Sequence, residues 1–146
     1  MEPPVAWRTM ETGLAHRERS GRGVAAAMVV GWLSGVLSAG AVLLALAHAG
    51  LSLPLLSALG PGGDRAVPPA AIAFSVLAVL AAVVAAGAFA RRSWAWPLGL
   101  VVHALAVFGA ATPFRGPVSL VGILLSLSAL AVLLSRSGRT ALLVRR

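Results

Sequence analysis

The chain has 146 residues, of which 59% are hydrophobic and only 11% are charged, and its mean hydropathy is +0.93. This balance excludes an ordinary soluble globular domain and indicates that lipid surrounds most of the chain. The absence of cysteine excludes disulfides, thiolate chemistry and cysteine-ligated metals. The net charge of +8 results from twelve arginines, no lysine and four acidic residues. These arginines lie almost entirely outside the apolar runs and form no recognisable nucleic-acid module, so we predict no nucleic-acid partner.

The N-terminal residues 1–23 form a basic tail. Trp7, Met10 and Leu14 recur at helical spacing, so the tail is either a helix lying on the inner membrane surface or a disordered segment. An apolar run without charges follows at about residues 24–49. It is much longer than the 7–15 apolar residues typical of a signal peptide, and we therefore predict a retained membrane span.

Three further apolar segments follow in the chain. A bilayer core of about 30 Å needs about 20 apolar residues per helix, so four spans and short connections consume nearly the whole length. We predict an all-α, membrane-spanning four-helix bundle at residues 24–135 and a basic tail at 136–146. The predicted spans cover about residues 24–49, 70–90, 94–112 and 118–134.

Arginine placement predicts the orientation. With four spans, both tails and the loop between the second and third spans share one side and carry ten of the twelve arginines; Arg65 and Arg115 face the other side. The positive-inside bias therefore predicts a multi-pass protein of the cell membrane with both termini cytoplasmic. Six residues are expected to set this topology and to meet anionic lipid headgroups: Arg91, Arg92, Trp94, Trp96, Arg136 and Arg139.

Small residues at helical spacing mark two faces suited to helix packing. Gly31 and Gly35 form a GxxxG pattern in the first span, and Ala82 and Ala86 belong to a similar stripe in the second. Such faces let helix backbones approach closely in lipid. They predict either an interface with a second molecule or packing within the chain.

A few polar side chains interrupt the apolar spans. Ser34, Ser38 and Ser126 could line a polar path, or could simply bond a backbone carbonyl or a neighbouring helix. His103 is the only ionisable residue deep in a span, and therefore a functional candidate. A neutral imidazole bonded to a serine of another helix is the structural alternative.

No set of residues predicts a catalytic, metal or cofactor site. No carboxylate lies in any predicted span to pair with His103. A haem shared by His48 and His103 is disfavoured, because their positions along the predicted spans differ in depth by about 20 Å. We therefore predict no cofactor.

The segment Ala90-Arg91-Arg92-Ser93-Trp94-Ala95-Trp96, followed by an apolar helix, resembles a pattern in small four-helix actinobacterial membrane proteins. These include DoxX-like and domain-of-unknown-function groups. The resemblance implies a four-helix fold and a bacterial inner membrane, but no active site. Small multidrug transporters have a similar length and four helices, but they rely on a glutamate in the first span that this chain lacks.

These features favour a non-enzymatic membrane protein that acts through helix packing, as an oligomer or as an accessory subunit of a membrane complex. The alternative is a transporter or channel for a small or lipophilic solute with a path near His103. A quinone- or haem-associated protein is a third hypothesis.

Overall fold

A computed structural model describes residues 5–51, 66–112, 114 and 116–143, with side chains of the first helix described from Gly21 onward. This part of the chain contains helices and no strands, which confirms the prediction of an all-α fold for it. The helices are α1 (Val5–His48), α2 (Pro68–Phe89), α3 (Ala95–Ala111), α4 (Pro117–Leu134) and α5 (Arg136–Leu143).

The four long helices pack side by side in cyclic order. α1 packs against α2 and α4, and α3 packs against the same two helices, so α1 and α3 lie diagonally opposite. Successive helices run antiparallel. An added Cβ at Gly99 would contact Leu133, and one at Gly122 would contact Ala110, which sets the register between α3 and α4.

Three helices have the length and apolarity of membrane spans: Gly21–His48 within α1, α2 and α4. The apolar helix α3 has 17 residues, at the short end of the range for a span. The outward surfaces of these helices are also apolar, since Ile72 is 65% exposed and Phe108 is 70% exposed. Helices that are apolar all round suit surroundings of lipid.

The helices α1 and α2 terminate in the same backbone motif. At the end of α1, Leu51 N–H donates to Leu46 O and Gly50 N–H donates to Ala47 O, with Gly50 at φ 95°. This pattern of paired backbone bonds around a left-handed residue is a Schellman motif, which satisfies carbonyls at a helix end.

The α2–α3 turn repeats this motif with an arginine at the left-handed position. Arg92 N–H donates to Gly87 O and Arg91 N–H donates to Ala88 O, with Arg91 at φ 53°. A left-handed conformation costs a residue with a Cβ about 1–2 kcal/mol relative to glycine. The turn is therefore built with local strain at Arg91.

The helix α5 is part of the packed structure. Ser135 caps its first turn, because Gly138 N–H donates to Ser135 Oγ at 3.1 Å. Ala141 and Leu142 are buried, and Ala141 lies against Gly23 of α1. Thus the backbone described at residues 136–143 of the predicted basic tail is a docked helix, with its arginines on the exposed side. Residues 144–146 lie outside the described part.

At the other end of the chain, α1 is continuous from Val5 into the apolar run, so the backbone of the predicted N-terminal tail joins the first span without a break. The side chains of Trp7, Met10 and Leu14 lie outside the described part, as do Arg65 and Arg115.

Candidate functional site

A hydrogen bond crosses the centre of the helix assembly. His103 Nε2 of α3 and Ser34 Oγ of α1 are 3.0 Å apart, and both residues are fully buried. Because α1 and α3 are diagonal helices, this bond links them across the centre of the assembly. The structure thus shows the interhelical serine bond that was the structural alternative for His103.

This bond satisfies only one of the two ring nitrogens. His103 Nδ1 has no hydrogen-bond partner among the described residues, and neither has the hydroxyl oxygen of Ser126 on α4. Both atoms are buried, and Ser126 is fully inaccessible. Leaving a buried polar atom unpaired costs about 1–3 kcal/mol, so two such atoms in one small region are unusual.

Helix register places the two residues that carry these atoms about one turn apart along the helices. The contacts of Gly99 with Leu133 and of Gly122 with Ala110 put His103 level with Ala129. They put Ser126 level with Ala106, about one helical turn from His103. Both facing residues are buried alanines.

The other predicted polar residue, Ser38, has a different role. Its hydroxyl donates to the backbone carbonyl of Ala78 in α2 at 2.8 Å. Ser38 therefore links neighbouring helices rather than joining His103. By contrast, Ser75 donates to Ala71 O of its own helix, which is the commoner arrangement for serines in apolar helices.

The described residues at this centre offer hydrogen-bonding groups. The described residues contain no cluster of three or more His, Cys, Asp or Glu side chains that could hold a metal ion. The four acidic residues of the chain, Glu2, Glu11, Glu18 and Asp64, all lie outside the apolar helical segments. A neutral imidazole and two hydroxyls can hold a small polar molecule or join helices.

The four predicted helix-packing residues differ in their surroundings. Gly31 packs within the chain, since an added Cβ would lie 2.6 Å from the Phe89 ring. Gly35 has open space where a Cβ would project. Ala82 and Ala86 are exposed on α2, while Ala81 and Ala85 are buried. Packing among the described residues therefore explains Gly31, but does not explain Gly35, Ala82 or Ala86.

The predicted topology residues gather at one end of the assembly. Arg91 and Arg92 lie in the α2–α3 turn, and Arg136 and Arg139 lie on α5, which contacts α1, α3 and α4. All four arginines are exposed.

The two tryptophans beside the α2–α3 turn also make contacts within the chain. Trp96 Nε1–H donates to Leu133 O at 2.9 Å and so pairs a carbonyl at the end of α4. The outer ring of Trp94 lies over Gly87, where an added Cβ would come within 2.5 Å of it. These rings consequently fix the helix ends as well as facing the surface.

Several determinants of this structure are absent from the sequence-based predictions. They did not single out Gly87, Gly99 or Gly138, each of which lies where an added Cβ would collide with or crowd a neighbour. At Gly138 the neighbour is the carbonyl of Val132. The docking of α5 was also missed, although Ala141, Leu142 and Leu143 provided an apolar signal after the arginines.

Comparison with known proteins adds no relationship: no family model, no curated protein sequence and no solved structure matches this chain. The resemblance to DoxX-like and similar small proteins therefore stays a prediction.

Proposed function

We propose that this chain is a four-span, non-enzymatic membrane protein that acts by packing against a second membrane helix, in a copy of itself or in a larger complex. The observation that carries this proposal is the exposure of Ala82 and Ala86 on α2. An alanine face that none of the described helices covers suits close approach by a helix from another molecule.

Four spans are favoured by the pairing of α3 with α4. Gly99 and Ala110, near opposite ends of α3, both contact residues of α4, so the two helices run alongside each other over most of the length of α3. Since α4 has the length of a span, its antiparallel partner would occupy the same depth. At about 1.5 Å per residue, 17 residues extend about 26 Å, close to the thickness of a bilayer core.

A cytoplasmic position for both termini is supported by the charge at one end of the helices. The exposed arginines of the α2–α3 turn and of α5 lie at this end, and the positive-inside rule assigns it to the cytoplasm. The same arginines would attract anionic headgroups of the inner leaflet. The setting we propose is a bacterial inner membrane.

The packing proposal is tested by enlarging the alanine face. The parent extracted in mild detergent is expected to give a dimer or a larger complex in native mass spectrometry, and Ala82→Leu with Ala86→Leu to dissociate it. Val76→Leu with Val83→Leu is the control, because these exposed α2 residues are already large. A monomeric parent with no co-purifying protein, or equal effects of both pairs, would contradict the proposal.

Self-association can be distinguished from a foreign partner by cysteine cross-linking. The chain has no cysteine, so a single Ala86→Cys substitution gives one defined reactive position. A cross-linked dimer indicates a second copy of the chain, whereas an intact complex without this dimer indicates a different subunit.

A second candidate function is a path for a small or lipophilic solute near His103. The two unpaired buried atoms, His103 Nδ1 and Ser126 Oγ, are the observation that favours it. Under this hypothesis His103→Ala abolishes solute flux in proteoliposomes, while Ser75→Ala on the exposed face of α2 does not. Flux that is unchanged by His103→Ala would rule out this path.

A further inference from the structure

We propose that four arginines at one end of the helices form a binding surface for the phosphate group of an anionic phospholipid. This arginine surface consists of Arg91 and Arg92 in the α2–α3 turn and of Arg136 and Arg139 on α5. The inference deepens the general attraction to headgroups described above, because it assigns a class of lipid and a principal residue, Arg91. It rests on the proposed insertion into a membrane, but not on association with a second protein.

The first support is positive charge without a countercharge. All four arginines of the surface are exposed. None of the side chains that the structure describes is a carboxylate, because the four acidic residues of the chain lie outside that part. The described side chains therefore provide no ion pair for the arginine surface, and an anion from the surroundings is its complementary partner. Guanidinium groups suit phosphate, since they bind its oxygens through paired N–H donors.

The second support is the strained backbone at Arg91. The Schellman motif that ends α1 has glycine at its left-handed position, Gly50 at φ 95°. The same motif at the end of α2 has Arg91 at φ 53°, the only positive φ of a residue other than glycine in the described part of the chain. Glycine would relax this strain, and strain of this kind clusters at functional sites. What the arginine supplies in exchange is a cation in a fixed turn.

The third support is the arrangement of the two arginine pairs. Arg136 and Arg139 lie three residues apart on α5, so they are neighbours on its exposed face. The indole N–H of Trp96 donates to Leu133 O at 2.9 Å, which joins the start of α3 to the end of α4. The α2–α3 turn comes just before this contact on one segment, and α5 comes just after it on the other. The two pairs of guanidinium groups therefore flank one contact.

The fourth support concerns the class of lipid. Trp94 is exposed beside the turn, and tryptophan prefers the depth of the headgroups. The helices next to the arginine surface are apolar all round, so a phosphate held at this depth belongs to a molecule with apolar chains. A headgroup with its own amine would bring a further cation towards four guanidinium groups, which opposes binding. The surface therefore fits a phospholipid whose headgroup has a net negative charge.

The test is a titration of the full chain in a non-ionic detergent with phosphatidylglycerol, read by native mass spectrometry as the affinity for bound lipid. Phosphatidylcholine with the same acyl chains is the comparison lipid, because it has the same phosphate but adds a cation. With about fivefold in affinity for each arginine near an anionic headgroup, the parent should prefer phosphatidylglycerol by at least about tenfold.

Two variants examine the two arginine pairs. Arg91→Gly should weaken the binding of phosphatidylglycerol about fivefold, and Arg136→Gln with Arg139→Gln about 25-fold. Binding of phosphatidylcholine should stay unchanged in both. Arg91→Gly is expected to stay folded without lipid, because glycine relaxes the turn.

Arg115→Gly is the matched control, because it removes one arginine from the connection between α3 and α4 instead of from the arginine surface. It should leave the affinity for phosphatidylglycerol unchanged. Equal losses in Arg91→Gly and Arg115→Gly would overturn the proposal, since net charge alone would then set the binding. Equal affinities of the parent for the two lipids would also overturn it, even if a variant failed to fold.

Inorganic phosphate distinguishes a lipid headgroup from a free phosphate ion. At the concentration of the lipid it should not displace phosphatidylglycerol, and displacement would overturn the assignment to a lipid. The same spectra report the oligomeric state of the chain. A monomer that binds phosphatidylglycerol selectively would thus contradict association with a second helix and still support the lipid surface.

Discussion

Ser34 and His103 form a buried hydrogen bond of 3.0 Å between two helices that are diagonal to each other. A bond in this position fixes the distance between the diagonal helices α1 and α3. The packing of neighbouring helices fixes only the distances between adjacent helices. Because one serine and one histidine provide it, single substitutions test its contribution.

Ser34→Ala is expected to lower the free energy of unfolding by about 1–2 kcal/mol, since it leaves a second nitrogen of His103 unpaired in the interior. Ser75→Ala is the control, because Ser75 is exposed and bonds only Ala71 O of its own helix. Thermal unfolding in one detergent should show a clear loss for Ser34→Ala and little change for Ser75→Ala. Equal midpoints would contradict the importance of the diagonal bond.

Because Arg91 adopts a left-handed conformation, replacing Arg91 or its neighbour Arg92 by glycine should change stability in opposite directions. Arg91→Gly is expected to raise the free energy of unfolding by about 0.5–1 kcal/mol, because glycine adopts positive φ without strain.

Arg92→Gly removes the same charge at a residue that does not have positive φ, and glycine there adds only backbone entropy to the unfolded chain. It should therefore lower stability. Thermal unfolding of the two variants side by side measures the difference. Two variants with the same sign of change would show that charge, rather than backbone strain, dominates this turn.

Two glycines should respond in opposite ways to a single added methyl group. At Gly138 a Cβ would collide with the carbonyl of Val132, so Gly138→Ala should displace α5 and destabilise the chain by more than about 1 kcal/mol. At Gly109 of α3 there is open space, so Gly109→Ala should stabilise the helix by up to about 1 kcal/mol.

Protease sensitivity after residue 134 provides a second measurement for this pair. Cleavage should accelerate in Gly138→Ala and stay unchanged in Gly109→Ala. A protected α5 in the Gly138→Ala variant would show that the close contact with Val132 is not required for docking.

Trp96 is expected to stabilise the end of α4 through its indole N–H. Trp96→Phe keeps an aromatic ring but leaves Leu133 O without this donor, and should cost about 1 kcal/mol. Trp32→Phe is the control, because Trp32 is 69% exposed and makes a T-shaped ring contact with Phe89. Similar losses in thermal unfolding would indicate that ring size alone matters.

The helices could be predicted because long apolar runs between proline- and arginine-rich segments have few alternatives in lipid. Which side of each helix faces inward could not be predicted. The apolar residues surround every helix, so they carry no periodic signal that separates core from lipid. Ala81 and Ala82 are adjacent in the sequence, yet Ala81 is buried and Ala82 is exposed.

The polar centre was predictable in part. His103 stands out from the sequence because it is a lone ionisable residue in an apolar segment. Its pairing with Ser34 instead of Ser38 depends on helix register and on the diagonal arrangement of α1 and α3, which no local pattern encodes. Likewise, the register that places Ser126 about one turn from His103 is set by contacts at Gly99 and Gly122.

The central claim is that α3 crosses the membrane, and labelling of single cysteines from each side tests it most directly. The chain has no cysteine, so Ser93→Cys before α3 and Phe114→Cys after it each give one reactive thiol. In oriented membrane vesicles, a membrane-impermeant maleimide should label the two positions from opposite sides, with Ser93→Cys on the cytoplasmic side. Labelling of both positions from the same side would contradict the four-span account.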